Sequence, residues 1–172
     1  MTKRHSLTIV FIVIVLFGAV TARLFVWPAQ GMPARVDAIV ELASEDDPTS
    51  TALRLAQERR ARFLVISLGT RANHLRCPRP TPQVKLTCFY PSPATTQGEV
   101  EFAARLAARH HWHSLALVTT VPQATRARLR LERCFPGHVY AVTSPISADV
   151  WPWAITYEWG ALLKALVLQR SC

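Results

Sequence analysis

Thr95-Thr96-Gln97-Gly98-Glu99, Val118-Thr119-Thr120-Val121-Pro122-Gln123 and Thr125-Arg126-Ala127-Arg128 are the stretches of this chain whose residue types could do chemistry together. Each lies where an apolar, strand-like run gives way to a helical pattern. In an open parallel α/β sheet such handovers line up at the carboxyl ends of the strands, where ligands bind. The three stretches therefore deliver hydroxyls, a carboxylate and a guanidinium to one crevice. Glu99, at its rim, can accept a proton or bind a hydroxyl. Thr119 and Thr120 end a strand, and Gln123 and Arg126 fall in the first helical turn after Pro122, whose free N–H groups make an anion seat. Arg126 adds bidentate reach toward a phosphate or carboxylate. Thr95, Thr96, Ser44 and Ser67 complete the candidate ligand-binding set.

Plainer structural roles compete for the same residues. Thr96-Gln97-Gly98-Glu99 has the spacing of a capping box, in which both side chains satisfy free backbone N–H groups. If Thr95 is the cap instead, Glu99 is released to turn outward. Arg126, Arg130 and Arg133 share one helix face, and such stripes are commonly only solvated. His110-His111-Trp112-His113 lies at a helix end with no carboxylate or cysteine beside it, so no metal is expected there. Ser44 and Ser67 lack the Gly-x-Ser-x-Gly elbow of a serine hydrolase. No Gly-x-Gly-x-x-Gly or Walker sequence occurs, so no dinucleotide, nucleotide or other cofactor is expected.

The elements that would position these residues read as one alternating α/β domain. Residues 36–42, 62–68, 84–90, 115–118 and 139–142 are short apolar runs suited to buried strands. Helical patterns cover 53–60, 97–110, 123–134 and 153–168, with turn and cap chemistry in Glu45-Asp46-Asp47-Pro48-Thr49. Residues 70–83 hold three prolines and no periodicity, so a loop is expected. Alternating strands and helices predict a Rossmann-like three-layer sandwich around a mainly parallel sheet of about five strands.

The N-terminus bounds the compartment. Lys3, Arg4 and His5 precede an apolar run from Leu7 to Ala22 that continues past Arg23 to Trp27. That length can just cross a hydrocarbon core, which needs about 20 residues. The basic flank holds the N-terminus inside and sends the remainder out of the cytoplasm. Val20-Thr21-Ala22 offers small residues at a cleavage position, so secretion after signal removal is the alternative. The expected organisation is an anchor or signal over residues 1–27, a linker over 28–35, and an α/β domain over 36–172. About 145 residues then remain for a single core.

Four cysteines agree with export. Cys77 and Cys88 flank a Pro-rich loop, Cys134 falls near a helix end, and Cys172 lies at the far end of the chain. Four cysteines allow three pairings. Cys77–Cys88 and Cys134–Cys172 are favoured, the first closing a short loop and the second pinning a segment that would otherwise fray. The formal charge of +9 is spread through the sequence and carried mostly by arginine. Outside the cytoplasm it suits anionic lipid or cell-wall polymer, and no nucleic-acid partner is expected.

The order and spacing of "VDAIVEL" after a membrane segment, "ATTQGE", "LVTTVPQATRARLRLERCF" and "YEW" resemble the YdcF-like (SanA/ElyC-like) family of bacterial envelope-associated domains. The resemblance runs from about Val36 to Leu168, and the cysteine placement is similar to a branch from high-GC Gram-positive bacteria. It implies a Rossmann-like domain with a Thr and a Glu at a helix entry, here Thr96 and Glu99. It also implies a Thr, a His and an Arg after strand four, here Thr119 or Thr120, Gln123 and Arg126. Two positions depart from the family pattern. Glu41-Leu42-Ala43-Ser44 replaces a Gly-Gly turn, and Gln123 stands where the family has a histidine, removing a proton carrier. The expectation is a membrane-anchored, extracytoplasmic domain that binds a small anionic, sugar-containing or polyhydroxylated envelope metabolite and serves envelope homeostasis. Its membrane-lipid contact is the N-terminal helix. The alternatives are an enzyme acting on an envelope precursor with Glu99 as general base, and a scaffold with a vestigial site.

Overall fold

The computed structural model describes residues 2–44, 46, 48–70, 76–80, 82 and 84–172. Five parallel strands form the sheet: β1 (Ala38–Glu41), β2 (Phe63–Ser67), β3 (Lys85–Phe89), β4 (Ser114–Thr120) and β5 (His138–Ser144), in the spatial order β3-β2-β1-β4-β5. β1 is central, with Ala38–Glu41 in register with Phe63–Ile66 on one side and Leu115–Val118 on the other. Its four residues are buried on both faces, as a covered parallel strand requires.

Strand alternation sorts the core into two layers. Ala38, Val40, Leu115 and Leu117 meet α3 (Thr96–His110) and α4 (Ala124–Cys134) through Val100, Ala103, Ala127 and Leu131. Ile39, Leu64, Ile66, Ala116 and Val118 meet α2 (Thr49–Gln57) through Ala52, Leu55 and Ala56. The expected three-layer α/β sandwich is the fold. Strand order reverses between β1 and β4, so that the crossover from β3 through α3 returns the chain across the sheet to β4. Asp37 fastens this junction. Its Oδ2 accepts hydrogen bonds from the Ser114 hydroxyl at 2.9 Å and from the N–H groups of His113 at 2.8 Å and Ser114 at 2.9 Å. Burial works against its charge, but these bonds prevail and hold the carboxyl below its ordinary range.

Element boundaries differ from the sequence reading in instructive places. α2 starts at Thr49 rather than Leu53, because the Pro48 carbonyl accepts from the N–H groups of Thr51 and Ala52 and nucleates the turn earlier. It stops at Gln57 rather than Arg60, where Arg59 adopts φ 56° and turns the chain. β4 and β5 run longer than expected, to Thr120 and Ser144, since they pair along seven residues each. Within the 70–83 loop, residues 71–75, 81 and 83 lie outside the described residues, as do Glu45 and Asp47 of the expected turn.

Gly98 is fixed by close approach. A Cβ there would stand 2.0 Å from the Pro93 carbonyl oxygen, a backbone atom that cannot swing aside. Helix propensity favours Ala over Gly by about 1 kcal/mol, whereas overpacking costs about 1–3 kcal/mol. The clash should win, so Gly98→Ala is expected to lower the melting temperature. Gly160, with nothing within 4 Å of its Cβ position, supplies the sign control. Gly160→Ala should raise the melting temperature, and a common direction for both variants would refute the steric account.

α1 (Thr2–Thr21) continues into a π-helical segment, Ala22–Val26. Together they form an apolar helix, His5–Val26, of 22 residues, long and apolar enough to cross a membrane. Its C-terminal end is docked rather than free. Trp159 of α5 (Trp151–Val167) stacks on Phe17, meets Phe25 edge-on and donates its indole N–H to the Thr21 hydroxyl at 3.2 Å. Phe25 is completely buried. Both favoured disulfides are present, with Cα–Cα separations of 5.8 Å for Cys77–Cys88 and 4.8 Å for Cys134–Cys172. The second ties the chain beyond α5 to the end of α4.

Candidate functional site

A crevice of about 510 Å³ opens at the carboxyl ends of the strands, where α3, α4 and α5 converge beside the β1–β4 junction. Thr95, Thr96, Glu99, Thr120, Gln123 and Arg126 line it, together with Ser44 after β1. The three chemistry-bearing stretches therefore meet in space. The amide of Gln123 donates to the Thr96 hydroxyl at 3.2 Å, joining the entries of α3 and α4.

Thr95, not Thr96, caps α3: its hydroxyl accepts from the Gly98 N–H at 3.4 Å. This displaces the capping-box reading, since Glu99 then lies one position too far along the helix to close the box. Its carboxylate instead reaches across to the segment after β1 and accepts from the Ala43 N–H at 2.9 Å. Ser67 hydrogen-bonds to the same carboxyl group. Glu99 is only 3 % exposed, and burial raises its pKa to about 7 against the opposing pull of Ser67, Ala43 and the Arg126 charge. Desolvation outweighs all three. Glu99 is therefore poised to exchange a proton near neutrality, a property that a surface cap would lack.

Three sequence-level assignments require correction. Arg126 is no open anion seat: its Nε and Nη2 both donate to the Glu158 carboxylate at 2.7 Å, with Tyr157 beneath the guanidinium at 5.9 Å. Burial opposes the charge on Arg126, but the Glu158 carboxylate prevails and raises its pKa. Arg130 and Arg133 are not a solvated stripe, because α5 packs over that face of α4. Arg133 donates to the Ala165 and Gln169 carbonyls at the end of α5. Arg130 lines the crevice, gives Nη2 to Gln169, and keeps a buried Nε with no hydrogen-bond partner among the described residues. Burial, then the charges of Arg126 and Arg133, lower its pKa. Thr119 and Ser67, finally, are fully buried and do not line the crevice. Thr119 alternates onto the sheet face opposite Thr120, and Ser67 sits behind Glu99 as its hydrogen-bond partner.

Thr125 and Arg128 turn outward from the crevice. The Thr125 hydroxyl donates to the Leu24 carbonyl, and Arg128 pairs with Glu132 along α4 at 2.7 Å. Sequence reasoning missed Glu158, Tyr157, Trp153 and Lys164, all contributed by α5 to the crevice wall. One signal was available: Glu158 is the sole acid in a largely apolar helix, and a lone carboxylate on such a face needs a buried cation.

No match to this chain was found among protein-family models, curated proteins or solved structures. The crevice mixes charged, polar and aromatic side chains. It holds one carboxyl that titrates near neutrality, one internally satisfied Arg–Glu pair, and two further cations, Arg130 and Lys164.

Proposed function

We propose that this chain is a membrane-anchored, extracytoplasmic domain, related to the YdcF-like group, whose crevice binds a small anionic or polyhydroxylated envelope metabolite in the service of envelope homeostasis. One observation carries the reading: the buried Arg130 guanidinium lines the crevice with its Nε unused. Repulsion from Arg126 and Arg133 outweighs the attraction of the Glu101 carboxylate, so this buried cation is costly unless a further anion completes it. An anionic group on the ligand would be that complement, with Lys164 as a second cation. Thr96, Thr120 and Gln123 would hydrogen-bond ligand hydroxyls. The exported-type disulfides and the apolar His5–Val26 helix support the location.

Titration calorimetry with glucose 1-phosphate, a probe carrying both an anion and hydroxyls, tests the assignment. Arg130→Ala should lose about 2 kcal/mol or more of binding. Arg109→Ala, an exposed charge at the end of α3, should lose a small fraction of that. Equal losses would reduce Arg130 to one part of a general positive field. A second reading, an enzyme with Glu99 as general base, is favoured by the carboxyl's pKa of about 7. Gln123, which cannot shuttle a proton, leaves that proton transfer to Glu99 alone.

A further inference from the structure

Among the described residues, most of the outward face of α5 is left uncovered, although much of it is apolar. Trp153 is 65 % exposed, Leu163 53 % and Val167 59 %, and Tyr157, Leu166 and Leu168 extend the same surface. In a soluble domain so large an apolar patch marks an interaction site. Its position names the occupant. Trp159, midway along α5, packs on Phe17, Thr21 and Phe25, which are successive turns along one side of the membrane-length helix. Phe17 lies nine residues before the end of the His5–Val26 run, or about 13 Å along the axis at helical rise. A span of 22 residues is about 33 Å long, little more than a hydrocarbon core. With that run in the membrane, the α1–α5 contact lies at the depth of the outer leaflet, and α5 has no water-filled gap to stand in.

We propose that lipid of the outer leaflet covers the exposed face of α5, making it an interfacial helix. It would be a second membrane contact besides α1. This rests on the reading of His5–Val26 as a membrane span. The residue types fit. Trp153, Tyr157 and Trp27 are amphipathic aromatics of the kind enriched at membrane–water boundaries. Lys164 and the exposed Arg170 would meet anionic headgroups. Trp153, Tyr157 and Lys164 also line the crevice, so its mouth opens at headgroup level. A ligand would enter from the membrane surface rather than from bulk solvent.

Photocrosslinking of the full chain in vesicles of phosphatidylglycerol and phosphatidylcholine tests this. Benzoylphenylalanine is placed in turn at Leu163 and Val167 on α5, at Phe11 within the span, and at Gln57, exposed at the end of α2. Mass spectrometry should find lipid adducts at Leu163 and Val167 in yields comparable to Phe11, and none at Gln57. Lipid adducts at Phe11 with none at Leu163 or Val167 would overturn the proposal while leaving the span intact. Adducts from Leu163 or Val167 to a second copy of the chain would overturn it in favour of a dimer. Absence of lipid at Phe11 would instead remove the membrane reading on which the proposal stands.

Discussion

Glu158→Ala is expected to be among the most destabilising single substitutions in the domain, costing about 3–5 kcal/mol. The Arg126–Glu158 pair is buried on both sides, with side-chain exposures of 7 % and 5 %, and both of its contacts measure 2.7 Å. Removing the carboxylate strands a guanidinium that is only 6 % exposed, and that desolvation penalty is the larger part of the loss. For a chain of this size the melting temperature should fall by roughly 6–20 °C, measured on the full chain in detergent. Replacing both residues by Leu should recover most of the loss, because an apolar pair of similar volume carries no desolvation cost. A fall of less than about 1 kcal/mol for Glu158→Ala would mean that water reaches Arg126, and the pair would then be a surface bridge.

Glu99→Gln should make the protein more stable at pH 8 and leave it unchanged near pH 4. The folded-state pKa of about 7 lies above the ordinary value of 4.5. Between those values the folded protein holds a proton that the unfolded chain releases, so stability falls as pH rises through this window. Above pH 7 the ionised carboxylate costs up to about 3 kcal/mol relative to its state at low pH. Glutamine escapes that cost, and its amide can still accept from the Ala43 N–H and donate to Ser67. Urea midpoints across pH 4–9 check the sign. Parallel curves for the two proteins would show that Glu99 is solvated in the folded state.

The convergence of the three stretches was legible because strand–helix handovers in a parallel sheet share one edge, and the parallel, three-layer architecture followed from the alternation of strands and helices, though the strand order did not. What Arg126 does there was not. Its position in the first turn of α4 is a fact of local sequence, but its partner is 32 residues away on α5, and helical periodicity says nothing about which two helices touch. The same blindness hid Arg130: i, i+4 spacing identifies a face without saying whether water or α5 covers it. Glu99 was readable as a carboxylate at a helix entry. Its raised pKa was not, because that depends on burial against β1 and on Ser67, a residue assigned to the crevice wall that proves to stand behind it.

Glu99 has one further meaning. It rides on α3, at the head of the half-chain that supplies β4 and β5, yet its carboxylate is fastened to Ala43, just after β1 in the half that supplies β1, β2 and β3. The two half-sheets touch along a single seam, where Asp37 binds Ser114 at one end and the Leu42 N–H binds the Val118 carbonyl near the other. A molecule seated in the crevice would span that seam beside Glu99 and act as a removable rivet between the halves. Filling the crevice and holding the sheet shut are thus linked, and any ligand that favours the closed seam will raise the cost of opening the whole domain.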